Sequence, residues 1–148
     1  MDWFPGWFVR RFVHLDSVVR QVKLLPHSKR SITWGLTESA PAVHVWLQVV
    51  NHSGVGLVLD RVVLDVWAGQ PVAYGVMAYR TLIPKHSTID RIPPFHAVLT
   101  SAAIEQIKRH QQQSPSAAGY NINGTGFFDS KLGSFEVQLV GHDGYVES

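Results

Sequence analysis

Val43-His44-Val45-Trp46-Leu47-Gln48-Val49-Val50 decides the fold class. Val43, Val45, Leu47 and Val49 point one way and His44, Trp46, Gln48 and Val50 the other, the period of two that sets one face of a strand against a core. Asn51-His52-Ser53-Gly54 follows with turn-forming residues. Val55 to Trp67 then repeats the alternation, with Leu57, Leu59, Val62, Leu64 and Val66 prominent. Its phase slips near Asp60-Arg61, which predicts a bulge or bend.

The same punctuation continues on both sides. Ala68-Gly69-Gln70-Pro71 reads as a hairpin turn into a strand from Val72 to Leu82, where Gly75 allows a bulge or a close approach. Pro84-Lys85-His86-Ser87 turns the chain into Thr88 to Ile92, and Pro93-Pro94 interrupts any central strand there. Thr100 to His110 is the one helix of the body, capped by Thr100 or Ser101 and facing inward through Ala103, Ile104 and Ile107. Gln111 to Ala118 is a polar loop, and Tyr120 to Phe128 and Ser134 to Val140 form a closing hairpin around Asp129 to Gly133. Upstream, Ser31 to Leu36 is a short strand beyond a polar turn, and β-branched residues favour a strand from about Val18. Many strands with one short helix in a crossover predict a β-sandwich with that helix plugging one end.

Composition narrows the function. The 148 residues fit one domain that buries its own core. Only 16% are charged, against about a quarter in ordinary soluble domains, so part of the surface is expected to be covered. A net charge of +2 without a Lys/Arg run argues against nucleic acid. The absence of cysteine removes disulfides, thiolate metal sites and a cysteine nucleophile. With no apolar run of membrane-spanning length and no secretory signal pattern, the expected location is cytoplasmic and membrane-associated.

With these features in order, residues 43–140 resemble the LEA14/WHy (LEA-2) family. Asn51-His52-Ser53 stands where that family has an Asn-Pro-Asn turn, of which only the first Asn is present. Pro71-Val72-Ala73-Tyr74-Gly75, Ile83-Pro84-Lys85-His86-Ser87 and the helix start Leu99-Thr100-Ser101 match its next segments. Tyr120-Asn121-Ile122-Asn123-Gly124 and Leu132-Gly133-Ser134-Phe135 match its final hairpin. The resemblance implies an immunoglobulin-like antiparallel sandwich of about seven strands and no catalysis. It also implies links to stress protection, membrane tethering or, in some branches, lipid binding.

The chemistry-bearing residues do not assemble into a motif. Eight histidines (His14, His27, His44, His52, His86, His96, His110 and His142) include no pair at ligand spacing, and they read as surface residues. Asp60, Asp65, Asp90, Glu105, Asp129 and Glu136 read as a solvated face. Gly124-Thr125-Gly126 lies in a strand pattern without a following helix, so its glycines mark close packing and not a phosphate loop. No enzyme activity and no cofactor or metal is expected.

Residues 1–17 differ from the sandwich proper, 18–148. Phe8, Phe12, Leu15, Val19 and Val22 fall on one helical face, with Arg10, His14, Ser17 and Gln21 opposite. Trp3, Phe4, Trp7, Phe8, Arg10, Arg11 and Phe12 form the expected binding segment: rings that bury at a headgroup region and cations that meet phosphates. The same residue types suit a protein interface, and a third arrangement folds the segment back on its own sandwich. The expected function is a non-enzymatic structural or interaction module held at a membrane surface or in a membrane-protein complex. A lipid-binding domain and a soluble desiccation-protection protein of the WHy kind are the alternatives.

Overall fold

The computed structural model describes residues 15–29, 32–36, 39–78, 80–113, 119–140 and 143–145. Among these residues twelve strands follow one another: β1 Val22–Pro26, β2 Ile32–Gly35, β3 Ala42–Val45, β4 Leu47–Asn51, β5 Leu57–Trp67, β6 Pro71–Met77, β7 Thr81–Ile83, β8 Ser87–Ile89, β9 Phe95–Val98, β10 Gly119–Ser130, β11 Gly133–Gln138 and β12 Asp143–Tyr145. A helix at Ser101–Gln113 crosses between β9 and β10.

Several strands are pieces of a longer one. β1-β4-β8 and β2-β3-β9 are separate three-stranded sheets, yet β3 and β4 are the two halves of the Val43–Val50 run, parted at Trp46. The reason lies in the neighbours. Pro26 ends β1 on one side and Pro93-Pro94 precede β9 on the other, and proline has no N–H to give to a ladder. The side-chain phase survives the break, because Val43, Val45, Leu47 and Val49 are all buried. Likewise β6 and β7 pair in turn along β5, and β11 and β12 along β10. Three long strands therefore face four, the immunoglobulin-like sandwich of about seven strands expected from the sequence.

The predicted bulge is present. The β5–β10 register steps from Phe127↔Arg61 to Phe128↔Leu59, which leaves Asp60 over. Between β6 and β7 the partner of β5 also changes, and Arg80 Nη1 there donates to Asp60 Oδ1 at 3.0 Å. Arg61 stacks over the Phe127 ring at 4.0 Å on the outer face.

The core is the inner face of both layers. Leu24, Leu47, Leu59, Leu64, Ile122 and Phe128 are among its fully buried members, each contributing about 1.5–3 kcal/mol through removal from water. Gly124 permits the close pairing of β10 with β5, since a Cβ on it would fall 2.5 Å from Leu64 Cδ2 and 2.9 Å from the Val63 carbonyl oxygen. One edge of the sandwich is closed by a parallel bridge between Leu24 and Leu139, with Val140 N–H donating to Leu24 O at 3.0 Å. At the opposite edge Gly75 of β6 lies against the Phe95 ring of β9.

The structure departs from the sequence reading at the start of the described chain. Residues 15–20 are helical and the strand begins at Val22, not near Val18. Val18 is buried from the helical turn, so its β propensity is overridden by its packing position. β8 ends at Ile89, before the interruption expected at Pro93-Pro94, and β9, which the sequence reading did not assign, starts after it and pairs with β3 over four residues, His44 opposite His96.

Candidate functional site

The two poles of the sandwich are closed by different side chains. At one pole the Ser101–Gln113 helix starts on a cap, the Ala103 N–H donating to Thr100 Oγ1 at 3.1 Å. Ala103 and Ile107 are buried beneath it. Gln106 Nε2 donates to the Ala68 carbonyl in the β5–β6 turn at 2.8 Å. Tyr120 packs between Trp34 and His110, with ring centroids 4.9 and 5.4 Å away. Burial pushes the Tyr120 phenol up from its ordinary range, and a contact with Gln111 opposes this. The helix thus plugs this end, as its place in the crossover predicts.

The other pole is built on Asn51. Its side chain is fully buried and every hydrogen-bonding position on it is used. Nδ2 donates to the Val55 carbonyl at 2.9 Å and to the Pro84 carbonyl at 3.0 Å. Oδ1 accepts from Ser53 N–H at 3.0 Å and from Ser53 Oγ at 2.6 Å. His86 N–H then donates to Ser53 O at 3.0 Å, with His86 in the left-handed region at φ 49°. One amide therefore ties the end of β4, in the first layer, to the β7–β8 turn that leaves the second.

The chain reaches the same pole from its N-terminal side. Gln21 N–H donates to Val18 O, and Gln21 O accepts from His52 N–H at 3.0 Å. Gln21 Nε2 donates to Ser17 Oγ at 2.8 Å. Leu15 lies over the β10–β11 turn, its Cδ2 3.3 Å from where a Cβ on Gly133 would be. Beside that turn is an open slot of about 370 Å³, lined by Leu57, Val58, Leu82, Ile83 and Pro84 together with Asp129 and Lys131. Leu82 is 76% exposed while its neighbour Ile83 is 1% exposed. The predicted binding residues Trp3, Phe4, Trp7, Phe8, Arg10, Arg11 and Phe12 lie outside the described residues, in the segment that leads into this pole.

The acidic and histidine residues are spread out. Asp60 pairs with Arg61 and Arg80, each at 3.0 Å. Asp129 Oδ1 accepts from Ser134 Oγ at 2.6 Å. His44 and His96 are cross-strand neighbours on the outer face, centroids 4.7 Å apart. Among the described residues no group of three or more His, Asp or Glu is placed to hold a metal. Among the same residues no helix is long and apolar enough to cross a membrane.

No family model and no curated protein matches the chain. Solved structures do. A solution structure described as a late embryogenesis abundant protein aligns with a TM-score of 0.52 at 12% identity, covering 90% of this chain and 73% of that one. A crystal structure of an Archaeoglobus fulgidus protein aligns with a TM-score of 0.46 at 12% identity, covering 73% of this chain and 90% of that one. At such identity the first likeness speaks for the fold alone, and the LEA-type sandwich expected from residues 43–140 is the fold that the chain shares with it.

Proposed function

We propose that this LEA-type sandwich is a non-catalytic attachment module, held at a membrane surface through its N-terminal segment. The observation that carries the reading is the stretch rich in Trp, Phe and Arg that precedes Leu15 in the sequence, and an apolar slot that opens in the body beside an exposed leucine supports it. Aromatic rings and arginine together suit the headgroup region, where rings bury and guanidinium groups meet phosphates. The carboxylates of the body support the non-catalytic part of the reading, since Asp60 and Asp129 are engaged in structural pairs at strand irregularities and turns.

The test is vesicle co-sedimentation of the full chain against the variant carrying Trp3→Ser and Trp7→Ser. Loss of most vesicle-bound protein with an unchanged thermal midpoint is the expected result. A variant that still binds, or a wild-type chain that stays in solution with every lipid tried, overturns the reading. A wild-type chain that instead co-purifies stoichiometrically with a protein, and loses it on the same substitutions, places the segment in a protein groove. The likeness to a structure described as a late embryogenesis abundant protein favours a second reading, protection of other molecules under water stress. That reading expects the Trp3→Ser, Trp7→Ser variant to protect a dried reporter enzyme as well as the wild type does.

A further inference from the structure

We propose that His44 and His96 together form a two-imidazole site for a divalent transition-metal ion of the Zn²⁺ or Cu²⁺ kind, on the outer face of the β2-β3-β9 sheet. The two residues are far apart in the sequence, and the antiparallel pairing of β3 with β9 sets them directly opposite one another. Their ring centroids are 4.7 Å apart and their planes are inclined at 49°, so the rings are close without being stacked. An imidazole nitrogen lies about 2.0–2.1 Å from such an ion, which puts each ring centre about 3.2 Å from it. Two rings at neighbouring coordination positions, about 90–110° apart, then have centres about 4.5–5.2 Å apart. The observed separation falls within that range. Imidazole is a ligand that suits both ions, and one nitrogen from each ring is enough, which leaves the other nitrogen of each for contacts within the protein.

The surroundings leave room for the rest of the coordination shell. His96 is exposed and lines an open cavity of about 350 Å³ with Val76, Met77, Ala78, Pro94 and Phe95. Water or an outside ligand reaches the remaining positions from that side, as at an open zinc site. On the other side Thr33 of β2 stands opposite His44. Without an ion the pair contributes little to the sheet, and two protonated rings directly opposite would repel. With an ion the gain falls where the ladder is shortest. β9 is four residues long, follows Pro93-Pro94 and has β3 as its one ladder partner among the described residues. Two protein ligands make a site that loads and releases its ion, unlike a closed structural centre of four. The site lies in the body of the sandwich and does not depend on the membrane reading.

The experiment titrates the full chain with Zn²⁺ alone, followed by calorimetry and by the imidazole NMR signals. One saturable ion is expected, with the His44 and His96 signals moving most. Either His44→Gln or His96→Ala is expected to weaken binding by about tenfold or more, because the second imidazole closes intramolecularly on an ion already held by the first. His52→Ala, at the Asn51 pole, is expected to bind like the wild type. Zn²⁺ at about a hundredfold over its dissociation constant should raise the thermal midpoint by about 5 °C, and a chelator should reverse the rise. His96 is exposed, so its variant decides the matter even where His44→Gln does not fold. A wild-type chain that takes up neither Zn²⁺ nor Cu²⁺ overturns the proposal. So does uptake that His96→Ala leaves unchanged, or that His52→Ala lowers as much, since the ion is then held by other histidines.

Discussion

The two poles of the sandwich are closed by opposite means. The helix pole is sealed by apolar volume: Ile107 and Tyr120 are buried, and one side-chain hydrogen bond, Gln106 to Ala68, fixes the helix on the turn below. The Asn51 pole is held by polar groups satisfying one another around a single amide, and it leaves an apolar slot open beside them. Hydrogen-bonded loops position a surface without filling it, whereas a packed helix consumes the surface it covers. The pole without the plug is the one with something left to offer a partner.

The sharpest way to break this contrast is at Asn51. Asn51→Asp replaces a donor to two carbonyl oxygens by an acceptor, and in a buried position it adds a charge. We expect a loss on the order of 4 kcal/mol or more at neutral pH by denaturant unfolding. The sign of its pH dependence follows from the same geometry. The carboxyl in the fold is pushed above its unfolded value, so the proton-bound form is favoured when folded. The deficit therefore shrinks as pH falls and the restored O–H donates to one carbonyl. Asn51→Leu lacks the charge and should cost about 3 kcal/mol with no such recovery.

At the packed pole Ile107→Ala removes buried volume under the helix and is expected to cost about 3 kcal/mol in the same assay, at every pH. Parallel pH profiles for Asn51→Asp and Ile107→Ala would dissolve the distinction between a polar and an apolar closure. Tyr120 adds a separate signature there. Its raised phenol pKa means that stability is intact below about pH 10, the unfolded value, and falls as pH rises through the folded one. Tyr120→Phe should remove that alkaline decline.

Much of this was legible in the residues because each feature depends on local pattern. The alternation at Val43–Val50, the slip at Asp60-Arg61, the cap at Thr100 and the turn at Asn51 each state a backbone preference that the tertiary structure keeps. Two features were not legible for one physical reason. The continuation of the helical turn past Val18 to Arg20 and the break between β6 and β7 depend on what the chain meets across the fold, Gly133 in one case and the Asp60 bulge in the other. Leu82 was missed as well. Tyr74, Val76 and Leu82 face out while Met77 and Ile83 face in, so the period of two holds across β6 and β7, but a strand read from Val72 to Leu82 without assigned faces does not single Leu82 out. The fourfold bonding of Asn51 was invisible too, since a turn Asn in sequence does not reveal that its amide reaches across 33 residues to Pro84.

The smaller effects sharpen the same comparison. Thr100→Ala removes a cap from an otherwise packed helix and should cost about 1 kcal/mol, seen as a modest drop in thermal midpoint. The smallest effect is expected where β7 passes from one role to the other within two residues. Ile83 is 1% exposed and belongs to the core, and Leu82 beside it is 76% exposed. Ile83→Ser should cost several times more than Thr100→Ala, because it removes buried apolar volume and places a hydroxyl among core side chains. Leu82→Ser should change stability by no more than about 0.5 kcal/mol, since its side chain is already in water and has little packing to lose. A loss at Leu82 comparable to that at Ile83 would mean that the slot is filled in the free protein. The Asn51 pole would then be closed by apolar burial after all, like its opposite.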